Sequence, residues 1–218
     1  MQVVTRVVPS RLGPGEDRLV VISLPEGLRL GTQSPGRTII VLADGAGGMA
    51  NGAMAAYHIC EVTAKRCKRP SGSVDVVPDW AWWLSQLDRE MASEPSLGQA
   101  AVVIVEIRND GLVTGASVGD CEAKIFATDS ELLNLTEDQH RKPLLGDGRA
   151  VPTGFEARVK NGVLVVATDG LWKYRDSTKI VQEVATRPLE LVGDSLVRGI
   201  WLENGCQPDD VALAIVEM

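Results

Sequence analysis

The sequence predicts an α+β fold in which stacked, mostly antiparallel sheets are flanked by helices. Apolar runs bounded by turn residues indicate about nine or ten strands. Asn109-Asp110-Gly111 joins two of these strands and is a strong hairpin signal. The predicted helices cluster early and late in the chain, whereas a doubly wound parallel sheet would alternate strands with helices.

The size and composition of the chain suit one globular domain spanning residues 1–218, with 44% hydrophobic and 23% charged residues. Its formal net charge of -7 argues against a surface that binds nucleic acid or anionic membranes. No apolar run approaches the roughly 20 residues of a spanning helix, and no secretory signal is recognised. The 4 cysteines form no CxxC pair, which suits a reducing compartment. We therefore expect a cytoplasmic protein without nucleic-acid or membrane partners.

Strands are predicted where Val, Ile and other apolar residues recur between turn signals. They are Gln2–Val8, Arg18–Ser23, Arg37–Ala43, Gln99–Arg108, Leu112–Val118, Glu122–Ala127, Glu131–Leu135, Val163–Thr168 and Val211–Val216. Helices are predicted from Gly47 to about Arg69, from the N-cap Asp79 to Met91, and over Thr178–Arg187 and Leu189–Asn204.

Two of the four Asp-Gly pairs follow apolar strands directly. The other two are typical of ordinary turns. Asp44-Gly45 follows the run Thr38–Ala43, and Asp169-Gly170 follows Val163–Thr168. A strand that stops on an acid places a carboxylate at the edge of a sheet, and glycine allows the backbone to approach closely. Because Mg²⁺ and Mn²⁺ prefer oxygen ligands, the two pairs indicate a candidate site for a hard cation.

Further acids occupy similar positions. Glu16-Asp17 precedes the second predicted strand, Asp209-Asp210 precedes the last, and Asp120 lies between two middle strands. Each acid alone is typical of a solvated turn. Their joint occurrence at strand ends favours one site built from several segments.

These blocks resemble, in order, the motifs of the PP2C-type (PPM) metal-dependent protein serine/threonine phosphatases. The family patterns are an N-terminal Glu-Asp, DGxGGxxxG, VGDS, LTxDH, SDGLWD and DNxT. The matching blocks are Glu16-Asp17, Val41–Gly48 with Gly52, Ser117–Cys121, Leu135–Asp138, Val165–Trp172 and Asp209–Val216. The resemblance covers the chain from about Glu16 onward and implies a four-layer α/β/β/α sandwich.

The resemblance also implies a site for two Mn²⁺ or Mg²⁺ ions that activate a bridging water for hydrolysis of phosphoserine and phosphothreonine. By this resemblance Asp44 bridges the two ions and the Gly45 carbonyl binds one. Asp169 and Asp209 complete the coordination of the first ion, and Glu16 holds water molecules that coordinate the second.

Three more residues take roles from the resemblance. Asp17 stands behind the metal ligands and, with Asp44 and Asp169, forms the catalytic carboxylate set. Asp120 is expected to hold a third, weaker metal ion, and Arg11 to bind the phosphate. The implied substrates are phosphorylated proteins, opposed by a serine/threonine kinase. The flap subdomain of the family is expected to be short or absent around residues 137–161.

Other functions remain open. Gly45–Ala50 fits the GxGxxA pattern of dinucleotide-binding folds, although the acid expected about 20 residues later is missing. Gly115–Gly119 fits a nucleophile elbow with Ser117 as nucleophile, although a strand, not a helix, is predicted next. The nearer alternative is a catalytically silent PP2C-like module that binds phosphoproteins, against which the retained ligand acids argue.

Overall fold

The computed structural model describes residues 1–10, 15–29, 32–47, 51–68, 79–127, 132–202 and 205–218. The strands within these ranges are β1 Gln2–Val8, β2 Asp17–Leu24, β3 Gly27–Arg29, β4 Thr32–Ser34, β5 Arg37–Gly45, β6 Ala100–Arg108, β7 Leu112–Val118, β8 Glu122–Ala127, β9 Leu132–Asn134, β10 Thr153–Arg158, β11 Gly162–Ala167 and β12 Val211–Glu217. The α-helices are α1 Gly52–Lys68, α2 Trp80–Ala92, α3 Asp169–Trp172, α4 Ser177–Thr186 and α5 Leu189–Arg198. A 3₁₀ turn covers Pro95–Leu97.

The strands form two five-stranded sheets and one small hairpin. The first sheet has the order β1-β12-β11-β8-β9, the second has the order β10-β7-β6-β5-β2, and β3 pairs with β4. Every pairing in the two large sheets is antiparallel. The predicted α+β class of antiparallel sheets with flanking helices is therefore confirmed.

Strand β5 shows why the molecule has four layers. Ile39, Val41 and Ala43 point to the layer of α1 and α2, where they share a buried cluster with Ile59 and Leu84. The intervening residues Ile40 and Leu42 point to the other sheet and pack in a cluster with Leu164 and Val166. Because both faces of the strand are covered, its sequence has no polar alternation.

The first sheet has its own helical cover. Val165 and Leu213 on its outer face pack against Val192 and Leu196 of α5 in a third buried cluster. The layers are therefore α1 and α2, the second sheet, the first sheet, and α4 with α5. This arrangement is the four-layer sandwich that the resemblance implies.

Most predicted elements are present with ends shifted by one or two residues, and the larger differences have physical reasons. The predicted helix to Asn204 was wrong at its end, since α5 stops at Arg198. Its buried stripe ends with Ile200, after which Trp201 and Leu202 are about half exposed. The helix predicted from Gly47 begins at Gly52, and residues 48–50 lie outside the described ranges.

Strand β10, the β3–β4 hairpin, the single turn α3 and the 3₁₀ turn Pro95–Leu97 were not predicted. Strand β10 reads Thr-Gly-Phe-Glu-Ala-Arg, a polar sequence that suits an edge strand with alternating half-buried and exposed positions. The β3–β4 hairpin has strands of only 3 residues. The single turn α3 follows β11 and begins at Asp169, where the sequence predicts only the end of a strand.

Candidate metal centre

The carboxylates of Asp44 and Asp17 are neighbours on adjacent strands. The register of β2 and β5 pairs Asp17 with Asp44 at the end of both strands, and Asp44 also faces Ala101 of β6. Asp17 is buried, with 2% of its surface exposed. The apolar run of β5 fixes the register of this pairing, because a shift by one residue would turn every side chain to the opposite face of the sheet.

Thr168 links Asp17 to the other sheet. Its hydroxyl donates a hydrogen bond to Asp17 Oδ2 at 2.8 Å and accepts one from the Ala212 backbone N–H at 3.1 Å. Thr168 follows β11, Ala212 belongs to β12, and Asp17 belongs to β2 of the opposite sheet. This buried hydroxyl therefore holds the ends of both sheets together beneath the acidic residues.

Asp120 reaches the same end of the molecule through a glycine turn after β7. Gly119 has φ 102°, in the left-handed region that favours glycine, and a side chain there would collide with Ala101. The Gly119 N–H donates a hydrogen bond to the His140 carbonyl oxygen at 2.8 Å. The turn thus directs Asp120 towards the site and ties it to the segment around His140.

Three carboxylates converge at the mouth of the two sheets. One oxygen from each of Asp44, Asp120 and Asp169 lies within 4.8 Å of the others, and all three residues are half-buried. Among the described residues, this is the group of acids close enough to share a metal ion. Its donors are carboxylate oxygens only, which suits Mg²⁺ or Mn²⁺ better than zinc or copper.

The acids repel one another without a cation between them. Burial raises the pKa of Asp44 to about 9, and the negative charges of Asp17, Asp169 and Asp120 add to the rise. Burial likewise raises the pKa of Asp17 to about 7, against the lowering effect of the hydrogen bond from Thr168. A divalent ion would relieve this repulsion, so the arrangement fits a metal site.

Asp209 joins the site through Lys173. The Lys173 ammonium forms an ion pair with Asp169 and lies 3.6 Å from Asp209 Oδ2. The hydrogen bond to Asp169 raises the pKa of Lys173 most, and the negative charges of Asp169 and Asp209 add to the rise. Asp209 lies outside the three-carboxylate group and is more exposed than Asp169.

The neighbouring Asp210 holds the segment that carries Glu16. Its carboxylate accepts hydrogen bonds from the Ser10 N–H and hydroxyl at 2.7 and 2.8 Å, and from the Glu16 N–H at 2.7 Å. The Glu16 carbonyl accepts a bond from the Gly45 N–H at 3.3 Å, which places Glu16 beside the acidic group. Arg11, the expected phosphate-binding residue, lies outside the described residues.

The two glycines of the Asp-Gly pairs allow close approach of the backbone. A Cβ on Gly45 would overlap the Gly52 carbonyl at the start of α1, and a Cβ on Gly170 would overlap the Asp210 carbonyl oxygen. Both glycines therefore let the segments that carry the acids meet at van der Waals contact.

Replacing Gly170 by Ala is expected to destabilise the protein by about 1–3 kcal/mol, because the new methyl group must push the Asp209-Asp210 segment away. The measurement is the free energy of unfolding in urea. Gly154→Ala is the matched control, since a Cβ there meets its nearest atom at an ordinary 3.7 Å. Equal stability of the two variants would contradict the close packing behind Asp169.

A cleft of about 630 Å³ opens over the acidic group. Its lining includes the acids Asp44, Asp120, Asp147 and Asp169 and the cations Arg141 and Lys142. The Arg141 side chain is 73% exposed, with its guanidinium 3.9 Å from Glu122. The cleft therefore offers both carboxylate oxygens and positively charged side chains.

The segment that carries Arg141 and Lys142 is anchored on both sides. Ala100 and Leu145 exchange two backbone hydrogen bonds at 3.0 and 3.1 Å. The buried Asp88 of α2 accepts bonds from the N–H groups of Gly146, Gly148 and Ala150 at 2.7 to 3.0 Å. The region 137–161, where the flap was expected to be short or absent, is thus a turn and a pinned loop leading into β10.

Sequence reasoning missed three cations of the site. Only the fold brings Arg141 and Lys142 next to Asp44, because nothing in their local sequence indicates it. Lys173 could have been found, since it stands four residues after Asp169 and such a pair meets on one helical turn.

Solved structures supply the comparison for this fold. The Staphylococcus aureus serine/threonine phosphatase Stp1 is 17% identical with a TM-score of 0.75, and the match covers 100% of this chain and 94% of that chain. RsbX in complex with magnesium is 14% identical with a TM-score of 0.74, covering 99% and 94%. The catalytic domain of the serine/threonine protein phosphatase PstP with 2 manganese ions is 18% identical with a TM-score of 0.69, covering 98% and 96%.

The chain has the PP2C fold. No family model and no curated protein matches the sequence. At these identities the similarity shows the fold alone. Any function must therefore be argued from the acids of this chain that are described above.

The PP2C fold excludes the two rival motifs. The antiparallel sheets are not a dinucleotide-binding βαβ unit, so the interpretation of Gly45–Ala50 as such a motif was wrong. Ser117 is fully buried inside β7, and the strand β8 follows, so it is not a nucleophile elbow. None of the helices in the described part of the chain has the length and apolar character needed to cross a membrane.

Proposed function

We propose that the protein is a metal-dependent phosphatase that hydrolyses phosphoserine and phosphothreonine in proteins. The observation that carries the proposal is the convergence of Asp44, Asp120 and Asp169 within 4.8 Å, in a cleft that Arg141 and Lys142 also line. The acids suit divalent cations, and the two basic side chains suit the phosphate dianion. The similar structures support the same function, since Stp1 and PstP are serine/threonine phosphatases, PstP was solved with 2 manganese ions and RsbX with magnesium.

Two divalent ions are the proposed cofactors, Mn²⁺ or Mg²⁺, with a third, weaker ion at Asp120. Asp44, Asp169, Asp209, Glu16 and the Gly45 carbonyl are the proposed ligands. Bound there, such ions neutralise the charge of a phosphomonoester and lower the pKa of a coordinated water, so that no protein nucleophile is needed.

The residues of the chain have distinct proposed roles around these ions. Asp17, buried and hydrogen-bonded to Thr168, is a positioning residue that holds Asp44 and supplies negative charge behind it. Arg141 and Lys142 attract the substrate phosphate and orient it towards the ions held by the acidic residues. Arg11 keeps its proposed phosphate-binding role from the sequence.

The proposed substrates are phosphorylated proteins made by an opposing serine/threonine kinase in the cytoplasm. An open cleft in which Arg141 is largely exposed suits a phosphorylated side chain presented by another protein better than a small buried ligand.

The direct test is hydrolysis of p-nitrophenyl phosphate and of a phosphothreonine peptide with Mn²⁺, with Mg²⁺ and with EDTA. We expect turnover of both substrates with either metal and none in EDTA. Turnover that persists in EDTA would sink the metal-dependent mechanism.

A catalytically silent phosphoprotein-binding module is the second candidate. The observation that favours it is the ion pair of Lys173 with Asp169, which places a protein cation where a metal would bind. Phosphopeptide binding without turnover, together with no divalent binding in calorimetry, would support this alternative against the enzyme.

Replacing Arg141 by Ala is expected to raise KM for a phosphothreonine peptide about tenfold, since a hydrogen bond to a charged group is worth about 1.5 kcal/mol or more. The effect on kcat should be smaller, because the acids remain in place. Arg158→Ala removes the same charge at the far end of β10 and serves as the control. An unchanged KM in Arg141→Ala would remove Arg141 from the substrate site.

A further inference from the structure

Lys173 stands at the end of α3, one helical turn after Asp169. Its backbone N–H donates a hydrogen bond to the Asp169 carbonyl at 2.9 Å, so the turn holds both residues on one side. The side chain then pairs with the Asp169 carboxylate and reaches to 3.6 Å from Asp209. A single ammonium group thus joins two of the acids proposed as ligands of one metal ion.

The charges around the ammonium explain why it takes this place. Asp169 belongs to the group of three carboxylates with Asp44 and Asp120, and Asp209 adds a fourth acid nearby. Without a metal, one positive charge among these acids lowers their mutual repulsion. The Lys173 side chain is 53% exposed, so it can turn out into water when another cation arrives.

A metal ion and the ammonium cannot both use the same oxygens. A divalent cation at Asp169 and Asp209 would need the carboxylate oxygens that Lys173 contacts, and it would repel the ammonium at that distance. Binding of the metal therefore includes the cost of breaking both ion pairs.

We infer that Lys173 is an internal counter-ion that a divalent cation must displace from Asp169 and Asp209, and that it thereby sets the metal affinity of the site. The inference rests on the proposed metal site and adds a control of its occupancy by this chain's own lysine. It makes the protein responsive to the concentration of free divalent ions, because Lys173 stabilises the metal-free state.

The test is calorimetric titration of Mn²⁺ into the metal-free wild type and the Lys173→Met variant. Two ion pairs worth up to about 1 kcal/mol each predict binding about tenfold tighter in Lys173→Met. Lys173→Gln should behave like Lys173→Met, and Lys173→Arg should stay close to the wild type because it keeps the charge.

Lys160→Met is the matched control. Lys160 is an exposed lysine in the turn between β10 and β11, and β10 runs towards the Asn109–Gly111 hairpin at the end of the sheet opposite to Asp44. It changes the net charge by the same amount without touching the acids, so its Mn²⁺ affinity should match that of the wild type.

Thermal unfolding gives a second readout that needs no activity. In EDTA, Lys173→Met should unfold at a lower temperature than Lys160→Met, because the acids lose their counter-ion. With saturating Mn²⁺ this difference should disappear, since the tighter metal binding of Lys173→Met offsets the stability that its metal-free state has lost.

The outcomes separate this inference from the proposed function. Equal Mn²⁺ affinity in the wild type, Lys173→Met and Lys160→Met would overturn the role of Lys173 and leave the metal site standing. A failure of all variants to bind divalent ions would overturn the proposed metal site itself, and the inference with it.

Discussion

Replacing Asp44 by Asn is expected to reduce kcat/KM for p-nitrophenyl phosphate at least about a hundredfold, the loss typical of damage to the support of a catalytic metal. Asp44 is the acid in contact with most of the others, facing Asp17 across the strand pair and sharing the cluster with Asp120 and Asp169. The amide is a weaker ligand without charge, so Mn²⁺ binding measured by calorimetry should weaken in parallel.

Asp110→Asn is the control for this variant. Asp110 lies in the hairpin turn between β6 and β7, far from the site, and Asn suits such a turn. Loss of activity through misfolding is distinguished by thermal unfolding in EDTA at neutral pH, where Asp44→Asn should be more stable than the wild type because it removes a carboxyl that the folded state must keep protonated. Full activity in Asp44→Asn would rule out Asp44 as a metal ligand.

Raising the pH is expected to destabilise the metal-free protein between about pH 4 and about pH 9. The pKa of Asp44 is raised to about 9 and that of Asp17 to about 7 in the folded state, whereas an unfolded aspartate titrates near about 3.9. The folded state therefore holds protons that the unfolded chain has released. The stability that these bound protons contribute to the folded state is complete below about pH 4. It is lost as the pH rises through about 7 and then about 9.

Thermal unfolding midpoints in EDTA at pH 5, 7 and 9 would measure this effect. Saturating Mg²⁺ should flatten the dependence, because the metal keeps the carboxylates ionised at every pH. In Asp44→Asn the fall between pH 7 and 9 should be smaller than in the wild type. The same slope in both proteins would show that Asp44 is not the group responsible.

The residues explain how far the sequence alone could reach. The runs of β5, β6, β11 and β12 were predictable because both faces of these strands are buried and leave an unmistakable apolar signal. The acids Asp44 and Asp169 could be located as site candidates because they end such runs. The short edge strand β10 carries no comparable signal.

Other features depend on contacts between distant segments. Arg141 reaches the cleft only because Ala100 pairs with Leu145 and Asp88 holds the following loop. Thr168 links two sheets through a hydroxyl that sequence patterns cannot assign. Such contacts are set by tertiary packing, so the local sequence could predict the candidate ligands but not that Arg141 and Lys142 line the same cleft.

The position of β12 has a consequence for the synthesis of the protein on the ribosome. This late strand lies between β1 and β11, so the edge strand β1 has no partner in the first sheet until residues 211–217 have emerged. The second sheet uses only residues between 17 and 158 and can pair earlier. Because Asp209 immediately precedes β12 and the Ala212 N–H donates a hydrogen bond to Thr168, these contacts beside the acidic residues can form only after residues 209–212 have been made.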